Sequence, residues 1–194
     1  MKNMYQQQWN KIAKKVNFNL EINTDIFTEH VPFNARILDF GCGYGRVSKL
    51  LWDLGYRNII RVDSSAKMIE RGKREFPELQ LEILEENLIP YPDSSFDALI
   101  ACAVFTCITS QKIRDRLIRE LYRVLKPEGI LHMVEFCSEP SKSFTANIGI
   151  PMLYSTPLEL KELACMLEPV SEEINNTKTM GGDSENSYSL FARK

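Results

Sequence analysis

The stretch from Ile37 to Arg46, which reads ILDFGCGYGR, constrains the fold more than any other part of the chain. It begins as a short apolar run, which indicates a buried strand, and continues into three glycines at alternate positions, Gly41, Gly43 and Gly45. A helical pattern of apolar residues follows at once. Glycines let a ligand approach the backbone closely, and the start of a helix presents free N–H groups to an anion. The stretch therefore predicts a nucleotide-binding unit of strand, turn and helix.

The glycine spacing distinguishes two classes of nucleotide cofactor. A dinucleotide fingerprint reads G-x-G-x-x-G, but Arg46 occupies the position of the third glycine, which disfavours NAD and FAD. Asp39 adds a carboxylate two residues before the first glycine. An acidic residue followed by G-x-G-x-G resembles the first motif of the class I S-adenosylmethionine-dependent methyltransferases.

Two later segments, residues 85–97 and 121–129, extend the resemblance to about residues 35–136. Matching backwards from Phe96, Glu85 falls where this family has an aspartate that bonds the adenine amino group, and Glu86 stands beside it. In the second segment, LYRVLKPEG, Glu128 replaces the first of two glycines that the family has after a helix. The second segment is a helix stop and a tight turn, so its role is structural.

An alternation of strands and helices follows the glycine turn. Predicted strands cover residues 36–40, 58–62, 79–84, 96–102 and 130–136, and predicted helices cover 45–54, 66–76 and 111–125. Residues 137–155 form an irregular loop, after which we predict a helix at 157–167 and two strands at 170–179 and 188–193. The resemblance implies a Rossmann-like, doubly wound α/β sheet of seven strands in the order 3-2-1-4-5-7-6, with an antiparallel last strand.

We interpret residues 1–194 as a single domain, since the length suffices for one α/β core. Residues 1–32 contain two helical patterns, and the resemblance implies that this N-terminal extension packs over the cofactor crevice. Residues 35–136 would form the cofactor-binding core. Residues 137–194 would supply an acceptor loop, the last helix and a terminal hairpin.

The composition bears on partners and location. The net charge is −2, so nothing in it requires nucleic acid or an anionic membrane. Five cysteines without a C-x-x-C pair, and two histidines, disfavour zinc and favour reduced thiols in a cytoplasmic protein. The N-terminus lacks the apolar core of a signal peptide, and the longest apolar run, 98–105, is too short for a membrane span. We expect no metal and no membrane partner.

Asp63 ends the second predicted strand, about 20 residues after the glycine turn, where nucleotide-binding folds place the ribose carboxylate. The same residue type is also suited to cap the following helix. The resemblance implies S-adenosylmethionine as the cofactor and S-adenosylhomocysteine as its product. The residues expected around the cofactor are Asp39, Gly41, Gly43, Gly45, Arg46, Asp63, Ser64, Glu85, Glu86, Asn87, Ala101 and Cys102.

Methyl transfer from a sulfonium is an in-line displacement, for which a protein mainly holds two reactants in place and excludes water. A base is needed only where the acceptor must lose a proton, and Glu135, at the end of the fifth strand, is the candidate. His132 and Cys102 lie in apolar runs and are expected to be packed core residues. The residues expected at the acceptor are Tyr5, Trp9, Val104, Phe105 and Glu135.

We expect a small-molecule acceptor, because the chain is short and nearly neutral. Three alternatives stay open. A non-catalytic S-adenosylmethionine sensor would have the same motifs without turnover. An RNA or protein methyltransferase would use the basic residues that recur at helical spacing: Lys112, Arg116, Arg119, Arg123 and Lys126. An NAD-linked oxidoreductase would need a third glycine at position 46 and a proton relay, and the sequence offers neither clearly.

Overall fold

A computed structural model describes residues 4–84 and 89–194, without the side chains of Met4 and Tyr5. The expected adenine contacts Glu85, Glu86 and Asn87, and the side chain of Tyr5, therefore lie outside the described part of the chain.

The helices are α1 (Met4–Ile12), α2 (Thr24–His30), α3 (Arg46–Leu54), α4 (Ala66–Glu75), α5 (Gln111–Val124) and α6 (Pro157–Leu163). The strands are β1 (Ile37–Phe40), β2 (Ile59–Asp63), β3 (Leu81–Ile83), β4 (Phe96–Cys102), β5 (Leu125–Cys137), β6 (Lys142–Thr145), β7 (Pro151–Tyr154), β8 (Glu168–Lys178) and β9 (Ser184–Arg193). A short 3-10 turn, Phe105–Cys107, follows β4. Within the described residues, no helix is long and apolar enough to cross a bilayer.

Seven strands form one sheet in the order β3-β2-β1-β4-β5-β9-β8. Strand β1 runs parallel to β2 and β4, and β9 runs antiparallel to β5 and β8. Since β6 and β7 pair only with each other, β8 and β9 occupy the positions predicted for the sixth and seventh strands. The predicted α/β fold and its strand order are confirmed.

Both faces of the central strands are buried, because helices cover the sheet on either side. On one face Leu38 of β1 belongs to the same apolar cluster as Leu121 of α5. On the other face Ile37 clusters with Phe27 of α2 and Leu51 of α3. This packing fixes β1, and with it the glycine turn that leaves its carboxyl end.

The structure differs from the prediction in residues 137–155, where β6 and β7 form an antiparallel hairpin in place of an irregular loop. All four residues of β6 are exposed, so no apolar alternation marks it. Strand β5 also begins earlier than expected, at Leu125, which pairs with Phe96 across an irregular stretch of the ladder. That stretch contains Glu128, whose φ is +61°.

Glu128→Gly is expected to raise the free energy of unfolding by about 1 kcal/mol. A left-handed backbone costs a residue with a Cβ atom roughly 1–2 kcal/mol, and the larger unfolded-state entropy of glycine offsets part of the gain. Urea denaturation measures the difference. Glu128→Ala keeps the Cβ atom and serves as the control, with a change expected near zero; equal stabilisation by both substitutions would contradict this assignment of strain.

His132 is a packed core residue, as predicted. It is completely buried, and its Nε2 lies 3.2 Å from Ser189 Oγ. Its ring is 5.3 Å from that of Phe191. Burial lowers the pKa of the imidazole to about 4, because a charged ring there would lose its hydration.

The His132 contribution to stability is expected to be complete above pH 6.5 and to fall by about 3 kcal/mol as the pH drops to about 4. In this window the unfolded chain binds a proton that the folded chain excludes. Chemical denaturation across pH 4–7, with His132→Leu as the reference variant, isolates this component. Parallel pH profiles for the two proteins would refute the low pKa.

Candidate functional site

A cleft with a volume of about 730 Å³ opens at the carboxyl ends of β1, β2 and β4. Its walls include Gly41 after β1, Asp63 at the end of β2 and Cys102 at the end of β4. Strand β1 lies between β2 and β4, so the chain adds β2 and β3 on one side of β1 and then β4 on the other side. Open α/β sheets bind their ligands at such switch points.

The glycine turn has no room for side chains. Gly41 and Gly43 have φ values of +70° and +57°. A Cβ atom on Gly41 would lie 2.7 Å from Val104 Cγ2, and one on Gly43 would lie 2.7 Å from Phe18 Cε2. The turn thus packs directly against Phe18 and Val104, and Gly41 and Cys42 of the turn line the cleft.

Asp63 is the carboxylate nearest to this turn. Its Oδ2 accepts a hydrogen bond from the Gly43 N–H at 2.9 Å, and its Oδ1 accepts one from the Ser65 N–H at 2.7 Å. Burial raises its pKa, and these two bonds act against the increase. The cap of α4 is Ser65, whose hydroxyl accepts from the Met68 N–H. Each oxygen of Asp63 keeps a lone pair for a further donor.

Asp39 is buried below the turn and ties β1 to α3. Its Oδ2 accepts a hydrogen bond from Ser48 Oγ at 2.5 Å. Burial raises the pKa of Asp39 to about 6, although Ser48, Arg61 and Arg46 act to lower it. The carboxyl also lines the cleft.

The turn after β4 is held by Glu135, which is completely buried. Glu135 Oε1 accepts the N–H groups of Val104 and Phe105, both at 2.9 Å. Its Oε2 accepts the N–H of Thr106 at 2.7 Å and the hydroxyl of the same residue at 2.6 Å. Burial raises the pKa of Glu135 against these bonds. The Glu135 carboxylate therefore accepts four hydrogen bonds, three from backbone N–H groups and one from a hydroxyl.

This geometry corrects two expectations at the acceptor. Glu135 does not line the cleft and has no free lone pair directed at a substrate, so it positions the turn and is not suited to act as a base. Phe105 is also completely buried and packs in the core next to α5. Of the expected acceptor residues with described side chains, Trp9 and Val104 line the cleft.

An N-terminal segment, residues 13–23, covers the cleft from the side of α4. Arg46 donates from Nη2 to the carbonyl of Leu20. Phe18 donates its N–H to the Tyr44 hydroxyl at 3.1 Å, and the two rings stack 5.3 Å apart. Phe18 and Leu20 both line the cleft. The sequence pattern did not mark Phe18, and it placed Leu20 in the second predicted helix, whereas α2 begins at Thr24.

The expected cofactor residue Ser64 lines the cleft, and its carbonyl accepts a hydrogen bond from Gln6 Nε2 of α1 at 2.7 Å. Ala101 is completely buried inside β4. Cys102 lines the cleft, and burial raises its thiol pKa to about 12. The thiol is therefore protonated, which disfavours Cys102 as a nucleophile, and its place beside the cofactor stays a prediction. Within the described ranges, no cluster of side chains fits a metal ion.

Part of the cleft lining is apolar and includes Val104, Ile108, Phe136 and Met152. Arg116 of α5 also lines the cleft. Met152 comes from β7, in the hairpin that the sequence did not reveal. This part of the cleft suits a ligand with an apolar body.

Residues 38–133 match the sequence model of a family described as a methyltransferase domain. Among curated proteins, a demethylmenaquinone methyltransferase of Thermotoga maritima is 31% identical over 114 residues, which make up 58% of this chain and 48% of that protein. A human eEF1A lysine and N-terminal methyltransferase is 25% identical over 136 residues, which make up 64% of this chain and 19% of that protein. The chain thus spans half or less of the length of these relatives.

A solved structure of a SAM-dependent methyltransferase from Methanosarcina mazei superposes with a TM-score of 0.78. The alignment covers 87% of this chain and 96% of that chain at 23% identity. At this identity the likeness concerns the fold, which is the same seven-stranded sheet.

Proposed function

The chain belongs to the class I S-adenosylmethionine-dependent methyltransferase family, and from this premise we propose that it methylates a small molecule in the cleft at the carboxyl edge of its sheet. The observation that carries the proposal is the pairing of Asp63 with the Gly43 N–H, 2.9 Å apart. This pair joins the two predicted cofactor motifs in one place, with the apolar half of the cleft beside it.

The residues around the turn fit S-adenosylmethionine. Gly41 lines the cleft, and a side chain there or at Gly43 would collide with Val104 or Phe18. Asp63 has lone pairs left for the two ribose hydroxyls. When bound, the cofactor supplies an electrophilic methyl group on a sulfonium.

We propose that the protein contributes positioning and the exclusion of water. The turn after β4, held by Glu135, places Val104 between the cofactor half and the acceptor half of the cleft. The segment 13–23 and α1 close the cleft from above through the bonds of Arg46 and Gln6. Holding two reactants in line accounts for a large part of the rate in such reactions. Because Glu135 is not available as a base, the site suits an acceptor whose nucleophilic atom already has a free lone pair and need not lose a proton before the transfer.

A small acceptor is favoured by the lining of the cleft and by the state of the basic residues on α5. The acceptor half is lined by apolar side chains such as Val104 and Met152, which suits an apolar small molecule. Arg123 is paired with Asp93 and Glu120, so it is not free for a phosphate backbone. Lys126 is likewise paired, with Asp97. These ion pairs reduce the charge available for RNA.

The test is to incubate the protein with methyl-labelled S-adenosylmethionine and an extract of its source, divided into small-molecule and macromolecular fractions. We expect label in the small-molecule fraction, and loss of that label with Asp63→Ala. Label in RNA or protein would replace the proposed acceptor class. Cofactor binding without label in any fraction would favour the sensor function.

A further inference from the structure

A second cavity, of about 490 Å³, lies between α5, α6 and the β6–β7 hairpin. Its volume is in the range of small-molecule sites, and it shares no lining residue with the cleft. Arg114 of α5 and Ser155, which directly follows β7, are in its walls. Their exposed fractions are only 3% and 1%.

One polar atom of each side chain lacks a hydrogen-bond partner within the described ranges. Arg114 Nε and Ser155 Oγ are buried polar atoms with no hydrogen bond to residues 4–84 or 89–194. The carboxylates of Glu135, Glu159 and Asp115 act on the charge of Arg114, but a buried N–H donor without an acceptor is still costly to a fold. Because the guanidinium stays charged and presents a planar fork of N–H donors, it matches a carboxylate in shape and charge. Ser155 adds a hydroxyl donor in the same cavity.

The rest of the cavity favours a ligand that also carries positive charge. The carboxylates of Asp115, Glu159 and Glu162 lie around it. Glu159 and Glu162 are exposed, so they stand at the solvent side, whereas Arg114 is buried. Arg119 adds a second positive charge to the lining, so three carboxylates face two guanidiniums and the balance is against a dianion such as phosphate. A ligand with one carboxylate and one ammonium satisfies both ends.

We propose that this cavity binds a small zwitterion of amino-acid type. Its carboxylate pairs with Arg114 and Ser155, and its ammonium faces Glu159 and Glu162. The site is independent of methyl transfer, since none of its residues belongs to the cleft.

The test measures the melting temperature and the binding heat of the full chain with L-lysine, L-methionine and L-glutamate. Cadaverine, which is L-lysine without its carboxylate, is the matched probe. At least one amino acid is expected to raise the melting temperature by several degrees, L-lysine most of all, and cadaverine is expected to leave it unchanged.

Three variants separate binding from folding. Arg114→Met is expected to abolish the ligand effect while the chain stays folded, since methionine fills the buried position although the charge that interacts with Glu135 and Glu159 is gone. Ser155→Ala is expected to weaken binding about tenfold, the loss of one hydrogen bond to a charged group. Lys112→Met, on the same helix but in neither cavity, is expected to behave as wild type.

Several results would overturn the proposal. They are the absence of a shift with all three amino acids, an equal shift with cadaverine, or a ligand effect that survives Arg114→Met. If Arg114→Met melts at a lower temperature and no ligand affects the wild type, the role of Arg114 is instead to balance the charge of buried Glu135.

Discussion

Asp63→Ala is expected to weaken the binding of S-adenosylmethionine about 100-fold. The substitution removes the carboxylate that would accept both ribose hydroxyls, and hydrogen bonds to a charged group contribute about 1.5–3 kcal/mol each. It also removes the acceptor of the Gly43 N–H, so the glycine turn loses an anchor. Isothermal titration calorimetry measures the change in Kd.

The matched control is Asp53→Ala, which removes an exposed carboxylate of α3 that pairs with Lys49. Its Kd is expected to stay within twofold of wild type. Asp63→Asn keeps the size of the side chain and is expected to fall between the two, since it retains one acceptor oxygen. Wild-type affinity in Asp63→Ala would remove Asp63 from the ribose site.

Glu135→Ala is expected to lower the free energy of unfolding by about 4 kcal/mol, because buried N–H groups of Val104, Phe105 and Thr106 would lose their acceptor. Methyl transfer is expected to fall together with the folded population, since the turn that lines the cleft loses its support. Urea denaturation measures the loss of stability. Thr106→Val removes the hydroxyl bond to Glu135 and the acceptor of the Phe136 N–H, and it is expected to cost about 2 kcal/mol.

The Glu135→Ala variant also distinguishes a positioning role of Glu135 from a catalytic one. A base role would follow from three results together. Glu135→Ala would keep a free energy of unfolding within about 1 kcal/mol of wild type, bind the cofactor with wild-type affinity, and lose methyl transfer. Because the carboxylate is buried and accepts four hydrogen bonds, we expect instead a large loss of stability, with methyl transfer falling as the folded population falls.

The cofactor half of the cleft follows from local sequence signals. Gly41, Gly43 and Asp63 stand at the ends of strands whose apolar runs are clear, and parallel strand ends meet at one edge of a sheet. Sequence patterns place these residues correctly because backbone conformation and strand position decide their location. Their roles toward the cofactor stay predictions.

Which residues line the acceptor half depends on the directions of their side chains. The spacing of apolar residues does not predict those directions once a strand has ended. Ala103 adopts a φ of +56°, and the 3-10 turn that follows directs Phe105 into the core. Glu135 ends a buried strand, as predicted, but its carboxylate faces backbone donors and not the cleft. Met152 and Phe18 reach the cleft from segments whose placement rests on long-range contacts, so no local pattern marks them.

A crystal structure of the chain with S-adenosylhomocysteine tests the proposed cofactor site most directly. We predict that both ribose hydroxyls lie within hydrogen-bond distance of the Asp63 carboxylate and that the homocysteine sulfur lies inside the cleft, on the side lined by Gly41. A ligand bound outside the cleft, or within it but with the ribose away from Asp63, would contradict the proposed site.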